Sequence, residues 1–98
     1  MRSTPASPEN KMATIKKKIW PDYFDLVVAG KKKFDMRVAD FDINEGDILL
    51  LEEWDPNTEK YTGRTVEKKA GYIAKFQLDS FGQEKEIKEK GIQIISLE

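Results

Sequence analysis

Apolar residues come in runs of only a few along this chain, and charged side chains make up 36% of its 98 residues. Such short runs build short strands or one short amphipathic helix, and none approaches the roughly 20 apolar residues needed to span a bilayer. A chain of this length buries about 60 to 65% of its unfolded surface, enough for one small core and one domain. Met1 to Lys11 contains Ser3, Thr4, Pro5, Ser7, Pro8 and Asn10 with almost nothing apolar to bury, so ordering it would cost entropy without compensation. Residues 1–12 are therefore expected to be a disordered tail and 13–98 the domain; Met12 followed by Ala13 also reads as an alternative start, which would make the leading segment dispensable. The leading segment lacks the apolar stretch of a signal peptide, and a soluble cytoplasmic protein is expected.

The chain has neither histidine nor cysteine. This excludes disulfides, thiolate metal sites and the Ser-His-Asp and Cys-His hydrolase schemes, and leaves any chemistry to Lys, Asp, Glu, Tyr, Ser, Thr or a bound ion. No cofactor is expected. Asp40, Asp42, Glu45 and Asp47 lie close together but lack the glycine and glutamate positions of a calcium loop, so they read as a solvated loop and no metal site is expected.

From Ala13 to Trp20, Ile15 and Ile19 fall on one side of an extended segment whose other positions are filled by lysines, which predicts a strand. Pro21 suits the first position of a helix and Asp22 complements its dipole, so a helix is expected over Tyr23–Ala29, burying Phe24, Val27 and Val28 and capped by Gly30. Phe34, Met36 and Val38 then alternate with Lys33, Asp35 and Arg37, the pattern of a strand with two distinct faces. The turn Asn44 to Asp47 leads into a buried strand over Ile48–Trp54, and Asp55 to Thr58 forms a second turn. Tyr61–Arg64 carries the chain back, and a long strand over Thr65–Phe76 is expected, with a bulge at Ala70 and Gly71. Leu78–Lys90 reads as a loop or short helix, and Ile92–Leu97 as a final strand. The fold class is α+β, mainly β: about five strands curled into a small, partly closed barrel, with one short helix after the first strand, since closure removes exposed edges.

The net charge of −1 hides an asymmetry, because residues 1–37 carry nine basic and four acidic side chains and residues 38–98 eight basic and fourteen acidic. Lys16–Lys18 and Lys31–Lys33 flank the helix, and a barrel pairing their strands would gather them into one basic patch; alone, each run is an ordinary solvated face or a strand edge guarded by lysine. Between Gly30 and Arg37, alternation sends Lys33, Asp35 and Arg37 to one face and leaves Lys31 and Lys32 at its mouth. A carboxylate accepting from base amines beside a guanidinium fork can read a nucleobase edge and hold a phosphate, while the plainer reading is an ion pair between Asp35 and Arg37. Trp54 either stacks on an unpaired base or packs on the core, and Trp20 and Tyr23 invite the same two readings. Arg64 either contacts a phosphate or pairs with Glu52 or Glu53.

The order Ile19-Trp20-Pro21-Asp22-Tyr23-Phe24, Gly30-Lys31-Lys32-Lys33-Phe34-Asp35-Met36-Arg37 and Glu45-Gly46-Asp47 resembles the ASCH domains of the PUA-like superfamily. With Glu53-Trp54-Asp55-Pro56 and Tyr61-Thr62-Gly63-Arg64 added, the chain from Thr14 to Glu98 resembles more closely the DUF3850 branch. The resemblance implies a barrel with a cleft beside the helix that binds RNA or a nucleotide-like ligand. Some ASCH proteins deacylate modified cytidine with a lysine, a threonine and a distant glutamate; Lys32 matches that lysine, but Asp35 stands at the threonine position. The leading expectation is therefore an RNA- or modified-nucleotide-binding domain that uses Lys31, Lys32, Asp35, Arg37, Trp54 and Arg64. The alternatives are a small amidohydrolase using Lys32, and a module that pairs with a protein partner through an edge strand.

Overall fold

The computed structural model describes residues 12–98, so the expected tail, Met12 apart, lies outside the described residues. Five elements follow in order: β1 Thr14–Ile19, α1 Pro21–Val28, β2 Ile48–Asp55, β3 Lys60–Lys69 and α2 Glu84–Lys90. The strands form one mixed sheet in the order β1-β2-β3. β1 runs parallel to β2, from Thr14 opposite Ile48 to Ile19 opposite Glu53. β2 runs antiparallel to β3, from Ile48 opposite Lys69 to Asp55 opposite Lys60. Parallel neighbours require a crossover, and α1 lies within it. No helix among the described residues is long and apolar enough to cross a membrane.

Helix α1 begins where Pro21 makes the missing N–H harmless, with Asp22 in the first turn. It ends in a Schellman arrangement: the Gly30 amide donates to the Val27 carbonyl and the Lys31 amide to the Leu26 carbonyl, both at 3.0 Å. Gly30 adopts φ +77° to allow this. Phe24 and Val27 pack on Ile19 and Leu51, and Leu49 and Val66 close the margin of this core. Val28 was expected in the same stripe but is 57% exposed. In a helix of two turns only one stripe meets the sheet, and α1 presents its i, i+3 pair rather than its i, i+4 pair.

Among the described residues the five-stranded, partly closed barrel is not formed; the sheet is open and has three strands. The alternating segment Lys33–Val38 is irregular rather than a strand, and its apolar positions face outward, Val38 being 79% exposed. The expected strand over Thr65–Phe76 stops at Lys69, and Ile92–Leu97 is likewise irregular. Period-two alternation marks a segment that could offer a face, whereas a strand needs a partner ladder, and these segments have none among the described residues. The loop-or-helix segment contains α2.

Asp47, read from sequence as part of a solvated loop, is 9% exposed and joins three parts of the chain. Its carboxylate accepts from the Ala13 amide at 3.1 Å and the Asn44 amide at 2.8 Å. Its carbonyl accepts from the Ala70 amide at 2.7 Å, which ends the β2–β3 ladder on the same turn.

Core and stripe assignments separate in a denaturation series. Leu51→Ala should lower the unfolding free energy by about 2–5 kcal/mol, because Leu51 is 2% exposed and packs on Ile19, Phe24 and Val27. Val28→Ala should change it by no more than about 0.5 kcal/mol. Urea midpoints for the two variants measure the difference.

Candidate functional site

A carboxylate lies within the apolar contact between α1 and the sheet. Glu53, on β2, is 3% exposed and sits opposite Ile19 on the α1 side. Its partners come from a bulge in β3. Glu52 pairs with Thr65 and Trp54 with Tyr61, so the single residue Glu53 faces Thr62, Gly63 and Arg64. Gly63 takes up the extra length at φ +94°. Thr62 and Arg64, two residues apart, thereby both turn to the carboxylate. The Thr62 hydroxyl donates to Oε1 at 2.5 Å, and Arg64 donates from Nε to Oε1 at 2.8 Å and from Nη2 to Oε2 at 2.6 Å. Arg64 Nη2 also reaches Asp25 of α1 at 3.1 Å, and the guanidinium carbon lies 4.6 Å from the centroid of the Phe24 ring.

The electrostatics follow from this geometry. The Arg64 bonds, with the Thr62 hydroxyl second, hold the Glu53 carboxyl below the usual carboxylate range against the opposing effect of burial. The same pairing raises Arg64 further into its charged range. Of the alternatives read from the sequence for Arg64, pairing with Glu53 is the one the structure shows, while the side chain keeps about half of its surface exposed.

A second group of cations lies on the segment after α1. Arg37 grips Asp35 with two bonds, Nε to Oδ2 at 2.6 Å and Nη2 to Oδ1 at 3.2 Å. Among the described residues, three of its five N–H groups have no partner. The Lys32 ammonium donates to the Phe34 carbonyl at 2.8 Å and lies 4.6 Å from the Phe34 ring and 5.9 Å from that of Tyr23. Lys31 is exposed and uses its backbone amide for the helix cap. Tyr23 and Trp20 are each about half exposed, so neither is a core residue.

Arg37 also lines an open cleft of about 330 Å³ with Lys17, Val38, Asp40 and Phe41. Lys17 shares its face of β1 with Ile15 and Ile19, on the α1 side, and its ammonium stands 3.9 Å from the centroid of the Phe41 ring. Trp54 is elsewhere. Strand alternation places it opposite Tyr61 on the far face of the sheet, where the Lys18 ammonium lies 4.4 Å from its ring and 5.9 Å from that of Tyr61. The six residues singled out from sequence therefore fall into separate places: Lys31, Lys32, Asp35 and Arg37 along one segment, Arg64 in the Glu53 cluster and Trp54 on the opposite face. Sequence reasoning missed Phe41, Asp25 and the pairing of Tyr61 with Trp54; only the last had a usable signal, in the short turn between the two residues.

Two consequences can be measured. Because the Glu53 carboxyl titrates lower when folded than when unfolded, its contribution to stability is complete above the ordinary glutamate value of about 4.5 and is lost as pH falls through the folded value. Chemical denaturation of the wild type should thus show stability dropping below about pH 5, and Glu53→Gln should flatten that drop. Gly63→Ala should cost about 1–2 kcal/mol by forcing a side chain into the left-handed region, although the space around it is open. Gly71→Ala, in equally open space without a positive φ, should be neutral or slightly stabilising, and thermal melts of the pair test this.

Comparison with known proteins completes the description of the chain. A family model described as a domain of unknown function, DUF3850, matches residues 14–86. An uncharacterized 12.9 kDa protein in the GpA 3' region of Escherichia phage P2 is 44% identical over 50 residues, covering 51% of this chain. The chain spans only 44% of that relative's length. The family match takes in all three strands, α1, the Arg37 segment and the Glu53 cluster, and this chain belongs to the DUF3850 family.

Proposed function

We propose that this domain binds RNA or a nucleotide-like ligand, with one nucleotide seated in the cleft between Lys17, Arg37 and Phe41. The observation that carries the reading is the meeting of two cations, an aromatic ring and a carboxylate in a single opening of about 330 Å³. That volume falls at the small end of ligand sites. Arg37 presents its remaining N–H groups to a phosphate while Asp35 fixes the guanidinium plane, which makes Asp35 a positioning residue. Lys17 supplies a second charge, leaving its place over the Phe41 ring for a phosphate so that the ring offers a surface for a base, and Asp40 supplies an acceptor for an exocyclic amine or a ribose hydroxyl. Lys31 and Lys32 add positive charge along the approach from α1. Kinship with the ASCH domains of the PUA-like superfamily and a cytoplasmic setting belong to the same proposal, the first supported by the order of the motifs along the chain.

Titration of the full chain with mononucleotides and short single-stranded RNA, followed by amide shifts in NMR spectra, tests the reading. Shifts should cluster on residues 17 and 37–41. Lys17→Ala and Arg37→Ala should each weaken binding about tenfold or more, with a reduced dependence on salt. An absence of shifts at millimolar nucleotide, or affinities untouched by both substitutions, overturns it.

A further inference from the structure

The triple-lysine run of β1 does not form one patch. Alternation sends Lys17 to the cleft and leaves Lys16 and Lys18 on the opposite face, where Lys18 stands over Trp54 and Tyr61. Tyr61 is 54% exposed. Among the described residues β1 pairs with β2 alone, so its outer edge is open; the cleft lies on one face of the sheet, and the aromatic patch, carried by β2 and β3 and reached from β1 by Lys18, lies on the other. Arg37 and Trp54 are therefore reached from opposite faces of the sheet.

We propose that a single-stranded nucleic acid crosses this edge, with one nucleotide in the Lys17–Arg37–Phe41 cleft and a base of a following nucleotide stacked on Trp54 or Tyr61. The inference rests on the proposed function and names its ligand: an extended polynucleotide strand rather than a free nucleotide. Charge complementarity supports it: Lys16, Lys17 and Lys18 place cations alternately on both sides of the edge, and against them stands one carboxylate on each side, Asp40 in the cleft and Glu52 in register with Lys18. The aromatic pair supports it as well. A base stacked on Trp54 takes the place over the ring that the Lys18 ammonium holds, and the displaced lysine serves the adjoining phosphate; such stacking needs no sequence-specific contact. A duplex does not fit this path, since its bases are already stacked on one another.

The experiment compares uridine monophosphate, an octamer of uridine and an octamer of thymidine as ligands of the full chain. The variants are Lys17→Ala for the cleft, Lys18→Ala and Tyr61→Ala for the far face, and Val28→Ala as an exposed control. Both Lys18→Ala and Tyr61→Ala are exposed changes, so their effects do not depend on the more enclosed Trp54. The octamer should bind more tightly than the monophosphate, and each far-face variant should weaken it about fivefold to tenfold and shrink that advantage. Lys17→Ala should weaken octamer and monophosphate alike, and either lysine variant should lower the salt slope of octamer binding by about 0.7. This pattern with either octamer supports the proposal, and the tighter of the two identifies the sugar. An octamer weakened by Lys17→Ala but not by Lys18→Ala or Tyr61→Ala overturns the edge crossing and leaves the cleft intact. If neither octamer nor monophosphate binds, the cleft reading falls, and the crossing falls with it.

Discussion

A carboxylate with 3% of its surface exposed sits where α1 meets the sheet, and the way Glu53 is satisfied decides how those layers fit. Leaving such a group without partners costs far more than pairing it returns, so the surrounding backbone is built to supply donors. β3 does this by lengthening itself opposite one residue of β2, with Gly63 in a conformation few other residues tolerate. The gain is that Thr62 and Arg64 converge on the same oxygens. Arg64 then extends to Asp25 and lies over Phe24, so a single guanidinium ties the sheet, the buried charge and the helix together. The order Tyr61-Thr62-Gly63-Arg64 is thus read as one device: a stacking residue on one face, then donor, pivot and donor on the other.

What was legible in the sequence is what short range determines. Pro21, Asp22 and Gly30 marked the helix ends, and the Asp55–Thr58 turn marked the β2–β3 hairpin. Less accessible was anything that depends on pairing across distance. The alternation of Phe34, Met36 and Val38 was genuine but had no ladder to join, and Arg37 turned instead to Asp35 along its own segment. The same limit applies to the site. Arg37 could be recognised from its neighbours, whereas the face occupied by Trp54 depends on register within a mixed sheet. The structural role of Arg64 was visible only as one of two alternatives, because choosing between them requires the bulge. Asp47 was misplaced for a related reason: the amide it serves, at Ala13, is 34 residues away in the chain.

The lysines of β1 combine two requirements that are often separate. An exposed strand edge invites pairing with other chains, and charged side chains guard against it. Placed alternately, the same charges put a lysine beside aromatic rings on each face, Lys17 at Phe41 and Lys18 at Trp54 and Tyr61. The acidic side chains that offset them in the total lie largely in the later part of the sequence, and two of them come back beside the lysines, Glu52 in register with Lys18 and Asp40 in the Lys17 cleft.

The parallel pairing of β1 with β2 also has a kinetic meaning. The β2–β3 ladder closes over a turn of four residues, from Asp55 to Lys60, whereas joining Thr14 to Ile48 closes a loop through α1 and the whole segment after it. Closure entropy grows with loop length and must be met before the long-range contacts form, so the hairpin is the natural nucleus and β1 the last strand to dock. Asp47 stands at that final junction, holding the start of β1 against a turn that the hairpin has already shaped. The strand that carries the lysine run is therefore also the one whose release would leave the rest of the sheet assembled.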